Sequence, residues 1–293
     1  MGFWEAIIMG LIQGLTEFLP VSSSGHLAIF KNIFHISTET GLLYDVMLHI
    51  ATLIAICIVY WKDVKELFVN GCCMVGLWVT NAVLWIGNLF RKKENRAALK
   101  PVLTTPYRRF VLMILISTVP TGILGVVLED VIGSASELLI LPGICLILTS
   151  ILLFIADRAN VGEKTEATAT YKNSFVIGLA QGVATLPGLS RSGTTITACL
   201  LSGFNKEFAV KYSFIMSIPA ILGAMVLQLK DFTMDEFAGG MIWNYIAGMI
   251  VAGAVGYLCI KTMLVVVKKN KFTIFSIYCL LAGLASVVFY FVA

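Results

Sequence analysis

Hydrophobic and polar positions along this chain fall into long apolar blocks, not into the one-sided stripes of a water-facing fold. Six uninterrupted blocks, at about 42–61, 109–129, 133–157, 207–229, 243–267 and 271–292, reach the length of about 20 residues that a bilayer-crossing helix needs. Two further regions, 3–34 and 173–203, are apolar but broken midway by Pro, Gly and several Ser. That pattern predicts re-entrant helical hairpins, because irregular backbone at membrane depth needs protein or a polar cavity to receive its polar groups. One more apolar region, 66–90, carries Trp78 and Trp85. A single crossing there would move the basic cluster at 91–109 to the outer side, so it is read as an interfacial helix or a hairpin on the cytoplasmic side.

The two broken regions resemble each other. Gly10-Leu11-Ile12-Gln13-Gly14 and Gly178-Leu179-Ala180-Gln181-Gly182 lie 168 residues apart, and the same offset pairs Ser22 with Ser190, Ser24 with Ser192 and Gly25 with Gly193. Each is followed by three spans. Three is odd, so the second copy starts on the opposite side of the membrane. The expectation is an all-α integral membrane protein with an inverted-topology repeat, six transmembrane helices and two re-entrant hairpins, its site near the midplane where the broken helices meet. It forms a single membrane domain over 1–293, with repeat one at about 1–157 (including a cytoplasmic segment 62–108) and repeat two at about 173–293.

Composition sharpens this picture. Hydrophobic residues make up 58% of the 293 and charged residues 13%, about half the charge of a soluble domain. Basic residues set the orientation: 62–109 holds nine Lys/Arg against three acids, and Lys268, Lys269 and Lys271 cluster in a turn, so both regions are expected on the cytoplasmic side. The acidic loops around Glu129-Asp130 and 231–236 are then outside, as are both termini. No basic residue precedes Lys31, so the first apolar stretch is expected to belong to the mature protein and not to a signal peptide. The seven cysteines show no metal-ligand spacing and read as apolar fillers.

Chemistry concentrates in the two breaks. The first reads Gln13-Gly14-Leu15-Thr16-Glu17-Phe18-Leu19-Pro20-Val21-Ser22-Ser23-Ser24-Gly25-His26. Gln13 and Glu17 are four apart and share a helix face; Pro20 ends that helix, and the serines suit the N-cap of the next. A carboxylate at such depth needs a cavity, a cation or a partner. The second break reads Pro187-Gly188-Leu189-Ser190-Arg191-Ser192-Gly193-Thr194-Thr195, with Arg191 the only basic residue between Lys172 and Lys206. Its planar fork suits phosphate oxygens, and a bridge to Glu17 is the alternative. His26 gains significance from sharing a short polar cluster with Glu17; His35, His49 and Asp45 are read as structural. A carboxylate in a phosphate site implies a divalent cation, Mg²⁺ or Ca²⁺.

These segments resemble the undecaprenyl-diphosphate phosphatase family of the bacitracin-resistance type, and the likeness extends to Pro120-Thr121-Gly122-Ile123-Leu124-Gly125 and to Ser217-Ile218-Pro219. The resemblance implies hydrolysis of a C55 polyprenyl diphosphate to the monophosphate carrier, at a site opening to the outer face of a bacterial plasma (inner) membrane. It implies Glu17, Ser23, His26 and Arg191 as catalytic residues, with Ser23, His26 or water as the nucleophile. Ser22, Ser24, Ser190, Ser192 and Thr194 are implied to bind substrate, and Glu17, with weaker help from Gln13, to hold the cation. The family often has glutamate where this chain has Gln13. Expected partners are the polyprenyl diphosphate, membrane lipid and, as a further option, a second copy in a homodimer; nucleic acid is not expected. The rival reading is a lipid flippase or secondary transporter of an anion, since broken helices in inverted repeats are also transporter architecture.

Overall fold

The structure, a computed structural model, describes residues 2–34, 38–128, 140–160, 162–228, 242–269 and 271–292. The regular elements among the described residues are all helices, with one isolated bridge between Lys164 and Phe204 and no strand. In chain order the helices are α1 (Phe3–Phe18), α2 (Ser23–Ile33), α3 (Thr38–Val59), α4 (Trp61–Leu89), α5 (Pro106–Val127), α6 (Ile140–Arg158), α7 (Tyr171–Val183), α8 (Arg191–Leu201), α9 (Lys206–Gln228), α10 (Ile242–Lys268) and α11 (Phe272–Val292). His35 and the acidic loops at 129–130 and 231–236 lie outside the described residues.

Six helices are long and apolar enough to cross a membrane: α4, α5, α6, α9, α10 and α11. Five coincide with predicted spans. The predicted span at 42–61 falls on α3, a helix of 22 residues, and α4 meets the criterion as well. The hairpin expected within 66–90 is corrected, because α4 is one uninterrupted helix of 29 residues. Gly71, Gly76 and Gly87 suggest breaks in the sequence, but a helical glycine costs only about 1 kcal/mol relative to alanine. A helix this long absorbs that.

Small residues set the packing. Each hairpin opens with a helix pressed closely on a helix from the other half of the chain. A Cβ on Gly10 would lie 2.3 Å from the Gly248 carbonyl oxygen, and one on Gly14 would lie 2.7 Å from that of Ala252, so α1 sits against α10. A Cβ on Gly178 would lie 2.3 Å from the Ser117 carbonyl oxygen, and one on Gly182 would lie 2.6 Å from Leu124, so α7 sits against α5 in the corresponding way. Close approach through small residues is how helices associate where lipid removes the hydrophobic drive. Gly143 and Gly283 serve the same purpose between α6 and α11. Thr121 Oγ1 donates across to the Gly178 carbonyl at 2.9 Å, and the Tyr44 hydroxyl to the Ala6 carbonyl at 2.6 Å. Asp45, read as structural, forms an ion pair with Lys31 and ties α3 to α2.

Candidate active site

The two breaks are built alike. In the first, α1 stops at Phe18, with Leu19 and Pro20 leaving the helix. Ser22 then caps α2: its Oγ accepts from the Gly25 amide at 3.2 Å and lies 3.3 Å from Ser24 Oγ. In the second, Ser190 caps α8: its Oγ accepts from the Gly193 amide at 3.1 Å and lies 3.4 Å from Ser192 Oγ. Serine suits both positions because its hydroxyl satisfies an amide that the first helical turn leaves without a partner. Ser22 adopts φ +70°, and among the described residues it is the one non-glycine with positive φ. Such a conformation persists only where its surroundings enforce it.

The two turns meet. The Gly188 amide donates to Ser24 Oγ at 3.4 Å, and Ser192 Oγ donates to the Leu19 carbonyl at 3.4 Å. Between them the Arg191 guanidinium donates to Glu17 Oε1, forming an ion pair across the two halves of the chain. Glu17 Oε2 accepts from Ser23 Oγ at 2.5 Å and from Gln13 Nε2 at 3.1 Å. The bridge between Arg191 and Glu17, offered as the alternative to phosphate binding, is therefore present. It leaves anion binding open, because the Arg191 side chain retains 22% of its exposure whereas that of Glu17 retains 2%.

His26 joins the cluster through the Ser22 backbone and reaches α11. Its Nδ1 lies 2.7 Å from the Ser22 carbonyl and its Nε2 lies 2.7 Å from the Tyr278 hydroxyl, with the two rings stacked at 5.6 Å between centroids. Thr194 is buried, and its Oγ1 has no hydrogen-bond partner among the described residues. His49 Nδ1 is 2.8 Å from the Asp45 carbonyl, in keeping with a structural role.

Sequence reasoning missed four contributors. Tyr278 lies within the last apolar stretch, and its one signal was a phenolic hydroxyl that needs a partner in an apolar span. Thr149 Oγ1, buried in α6, accepts from the Ser190 amide at 2.9 Å and so fixes the start of α8. Ser213 and Ser217 of α9 join Glu17, Arg191 and Ser192 around a cavity of about 10 Å³, room for about one water.

We expect Tyr278→Phe to lower turnover by about three- to tenfold, because the freed imidazole loses one of its two anchors, while stability falls by about 1 kcal/mol. A kcat below the native value at nearly unchanged melting temperature would show this.

No group of three or more His, Cys, Asp or Glu side chains gathers as a metal site among the described residues. One polar atom beside Glu17 does suit a cation: Gln13 Oε1 is buried with no partner among the described residues, while the amide nitrogen of the same side chain is bonded to Glu17. A carboxylate with an amide carbonyl is a hard-oxygen pair of the kind Mg²⁺ accepts when phosphate and water complete its shell.

Residues 6–285 match the family model described as bacitracin resistance protein BacA. A protein of Methanosphaera stadtmanae named undecaprenyl-diphosphatase is 37% identical over 285 residues, which is 97% of this chain and 96% of that protein. Its namesake in Methanobrevibacter smithii is 39% identical, covering 97% of this chain and 96% of its own length. The one in Halothermothrix orenii is 35% identical, covering 98% of each.

Proposed function

This chain belongs to the bacitracin resistance protein BacA family, and from that premise we propose that it hydrolyses undecaprenyl diphosphate to the monophosphate and inorganic phosphate within the membrane. The observation that carries this reading is the meeting of Glu17, Ser23 and Arg191 across the two breaks. A transporter needs no hydroxyl held against a buried carboxylate; a phosphatase that passes through a covalent intermediate does.

In this reading Arg191 releases part of its grip on Glu17 and binds the terminal phosphate with its exposed edge, and the unpartnered Thr194 hydroxyl is a second donor. Ser23 Oγ attacks the terminal phosphorus while Glu17 Oε2, already its acceptor, takes the proton. The bond from phosphorus to the bridging oxygen breaks, and the lipid monophosphate leaves with the proton that Glu17 had taken. Glu17, again a carboxylate, then takes a proton from water as the water oxygen attacks the phosphoserine, and returns it to Ser23 Oγ as phosphate is freed. His26, with both ring nitrogens engaged, positions the Ser22–Ser24 turn. Glu17 and Gln13 Oε1 would hold Mg²⁺ or Ca²⁺, which when bound neutralises diphosphate charge.

The same premise orders the chain in the membrane. The two hairpins are re-entrant and the halves form an inverted repeat. Support comes from the paired serine caps and from the matched seating of α1 on α10 and α7 on α5. The site opens outward, as the resemblance implies, and both termini lie outside, opposite the side to which the basic residues of 62–109 point.

The test is phosphate release from C55 diphosphate in detergent with Mg²⁺ or Ca²⁺ supplied, where no membrane sides exist to support transport. No release with either cation would favour the flippase. Ser23→Ala should lower release by about 10³-fold or more and abolish a trapped phosphoenzyme that maps to Ser23 in the native protein. A phosphoenzyme on His26, or none at all in the native protein, would remove Ser23 from the role.

A further inference from the structure

Beyond its second turn, α4 carries no charge: the last ionisable side chain before Arg91, cysteines aside, is Glu66. The face opposite Asn81 and Asn88 is apolar and bare, with Phe68 72%, Val79 60%, Val83 64% and Ile86 51% exposed. Taken alone this is the profile of a crossing helix. The chain that follows contradicts it. After Leu89 a short turn at Lys93–Asn95 reverses direction, and residues 96–105 run back along α4 as non-helical chain with a bend at Val102, extended at its ends, Arg96 (φ −74°, ψ 128°) and Thr105 (φ −126°, ψ 153°).

Asparagines of α4 fasten this strap. Asn88 makes paired bonds with the Ala97 backbone, donating to its carbonyl at 2.8 Å and accepting from its amide at 2.9 Å. Asn81 does the same with Lys100, at 2.8 Å each way. Asn70 accepts from Thr105 Oγ1 at 3.3 Å. The spacing is a register. From Asn88 to Asn81 is ~10.5 Å of helix, and from Ala97 to Lys100 is ~10 Å of extended chain; from Asn81 to Asn70 is ~16.5 Å, about the full reach of the chain from Lys100 to Thr105. Near its start α4 touches the bundle, where the Tyr107 hydroxyl donates to Asp63 and Gly71 lies near Val111.

Between its anchors the strap is exposed, at Ala98, Leu99, Pro101, Leu103 and Thr104. Non-helical backbone bare to lipid does not occur in the hydrocarbon core. A crossing α4 would also carry Lys100 with it, ~12 Å in from the helix end at Leu89. The strap is basic where α4 is apolar: Arg91, Lys92, Lys93, Arg96 and Lys100 are all exposed, against one acid, Glu94.

We infer that α4 and its strap form one composite amphipathic arm that lies in the plane of the membrane and binds an anionic lipid surface. The helix supplies the apolar face, seated among the acyl chains with Trp78 and Trp85 at headgroup level. The strap supplies the polar, cationic face that the helix's own sequence lacks. Charge complementarity and the bare backbone of the strap select a lipid surface over a buried protein partner. This inference does not depend on the hydrolytic reading.

Depth measurement tests it. The protein is reconstituted in bilayers as two single-tryptophan variants, one retaining Trp78 and one retaining Trp85, with the other four Trp changed to Phe. Quenching by lipids brominated at different acyl depths is then read. An in-plane arm puts both indoles at one shallow depth, whereas a crossing puts them ~10 Å apart along the normal. Brominated phosphatidylglycerol should quench Trp85 about twofold or more better than brominated phosphatidylcholine at equal mole fraction. That preference should vanish in the R91E/K92E/K93E variant. Unequal depths, no preference for the anionic lipid, or quenching by neither lipid (a face covered by protein, such as a second copy) would each overturn the proposal. If the tryptophan variants do not fold, Lys62→Cys and Asn95→Cys in a C72S/C73S background offer a second reading. The arm requires both to be labelled from the same side of the membrane; labelling from opposite sides refutes it.

Discussion

Arg191→Ala is expected to reduce phosphate release from undecaprenyl diphosphate by about 10³-fold or more, and Arg191→Lys by about 10²-fold. A single preorganised donor to a developing oxyanion contributes about 10²–10³ in rate, and an arginine on a transferring phosphoryl group contributes more. Lysine keeps the charge but loses the planar fork that lets one group hold Glu17 and a phosphate oxygen together. The Arg191 guanidinium donates to Glu17 Oε1 while part of it stays exposed, so both tasks fall to one side chain.

Arg191→Ala also leaves Glu17 buried without its counter-charge, and an orphaned buried charge costs about 3–5 kcal/mol. A drop in activity could then reflect unfolding. Pairing it with Glu17→Gln separates the two effects. The E17Q/R191A double variant removes both charges, so its melting temperature in detergent should recover most of what R191A loses. Its activity should stay at the floor, because the donor and the proton acceptor are both gone. An R191A protein retaining more than a tenth of native activity at unchanged KM would remove Arg191 from the chemistry.

Much of this site was legible because the physics that makes a break also makes a cap. Pro20 lies just past the end of one helix and Pro187 in the turn after the other, and a serine followed three residues later by a glycine restarts the chain as helix each time, so the 168-residue offset that relates Ser22 to Ser190 recurs as two equivalent caps. Gln13 and Glu17, four apart, bond along one face as their spacing demands. Contributors from distant helices were less legible. Tyr278 and Thr149 sit inside apolar runs where one hydroxyl barely alters the pattern, and only packing reveals that they hold His26 and Ser190. Residues 61–89 were ambiguous for another reason. Composition alone fits a crossing, a hairpin or an interfacial helix, and what separates them is a hydrogen-bonded strap whose register with Asn81 and Asn88 exists only once the chain has turned back.

Gly188→Ala should be among the most damaging small substitutions, lowering both stability and turnover. Gly188 has φ +90°, in the left-handed region that costs an L-residue about 1–2 kcal/mol. There is also no room for the methyl group. It would fall 2.3 Å from the Pro142 carbonyl oxygen, and since that atom is backbone of α6, no side chain can swing aside to accept it. Either α6 shifts or the turn does. A moved turn carries the Ser190 cap with it, and with that Arg191 and the contact of the Gly188 amide with Ser24. We expect a loss of about 3 kcal/mol or more, read as a melting-temperature drop of ~5–10 °C, together with activity reduced by about 10²-fold. Gly203→Ala isolates the backbone contribution. Gly203 has φ +82°, but a Cβ there would meet only the flexible Lys164 side chain, at 3.6 Å or more. It should therefore show the smaller loss that the dihedral alone imposes, with turnover preserved. Equal stability losses in the two variants would mean that the contact with Pro142 is not what makes Gly188 indispensable.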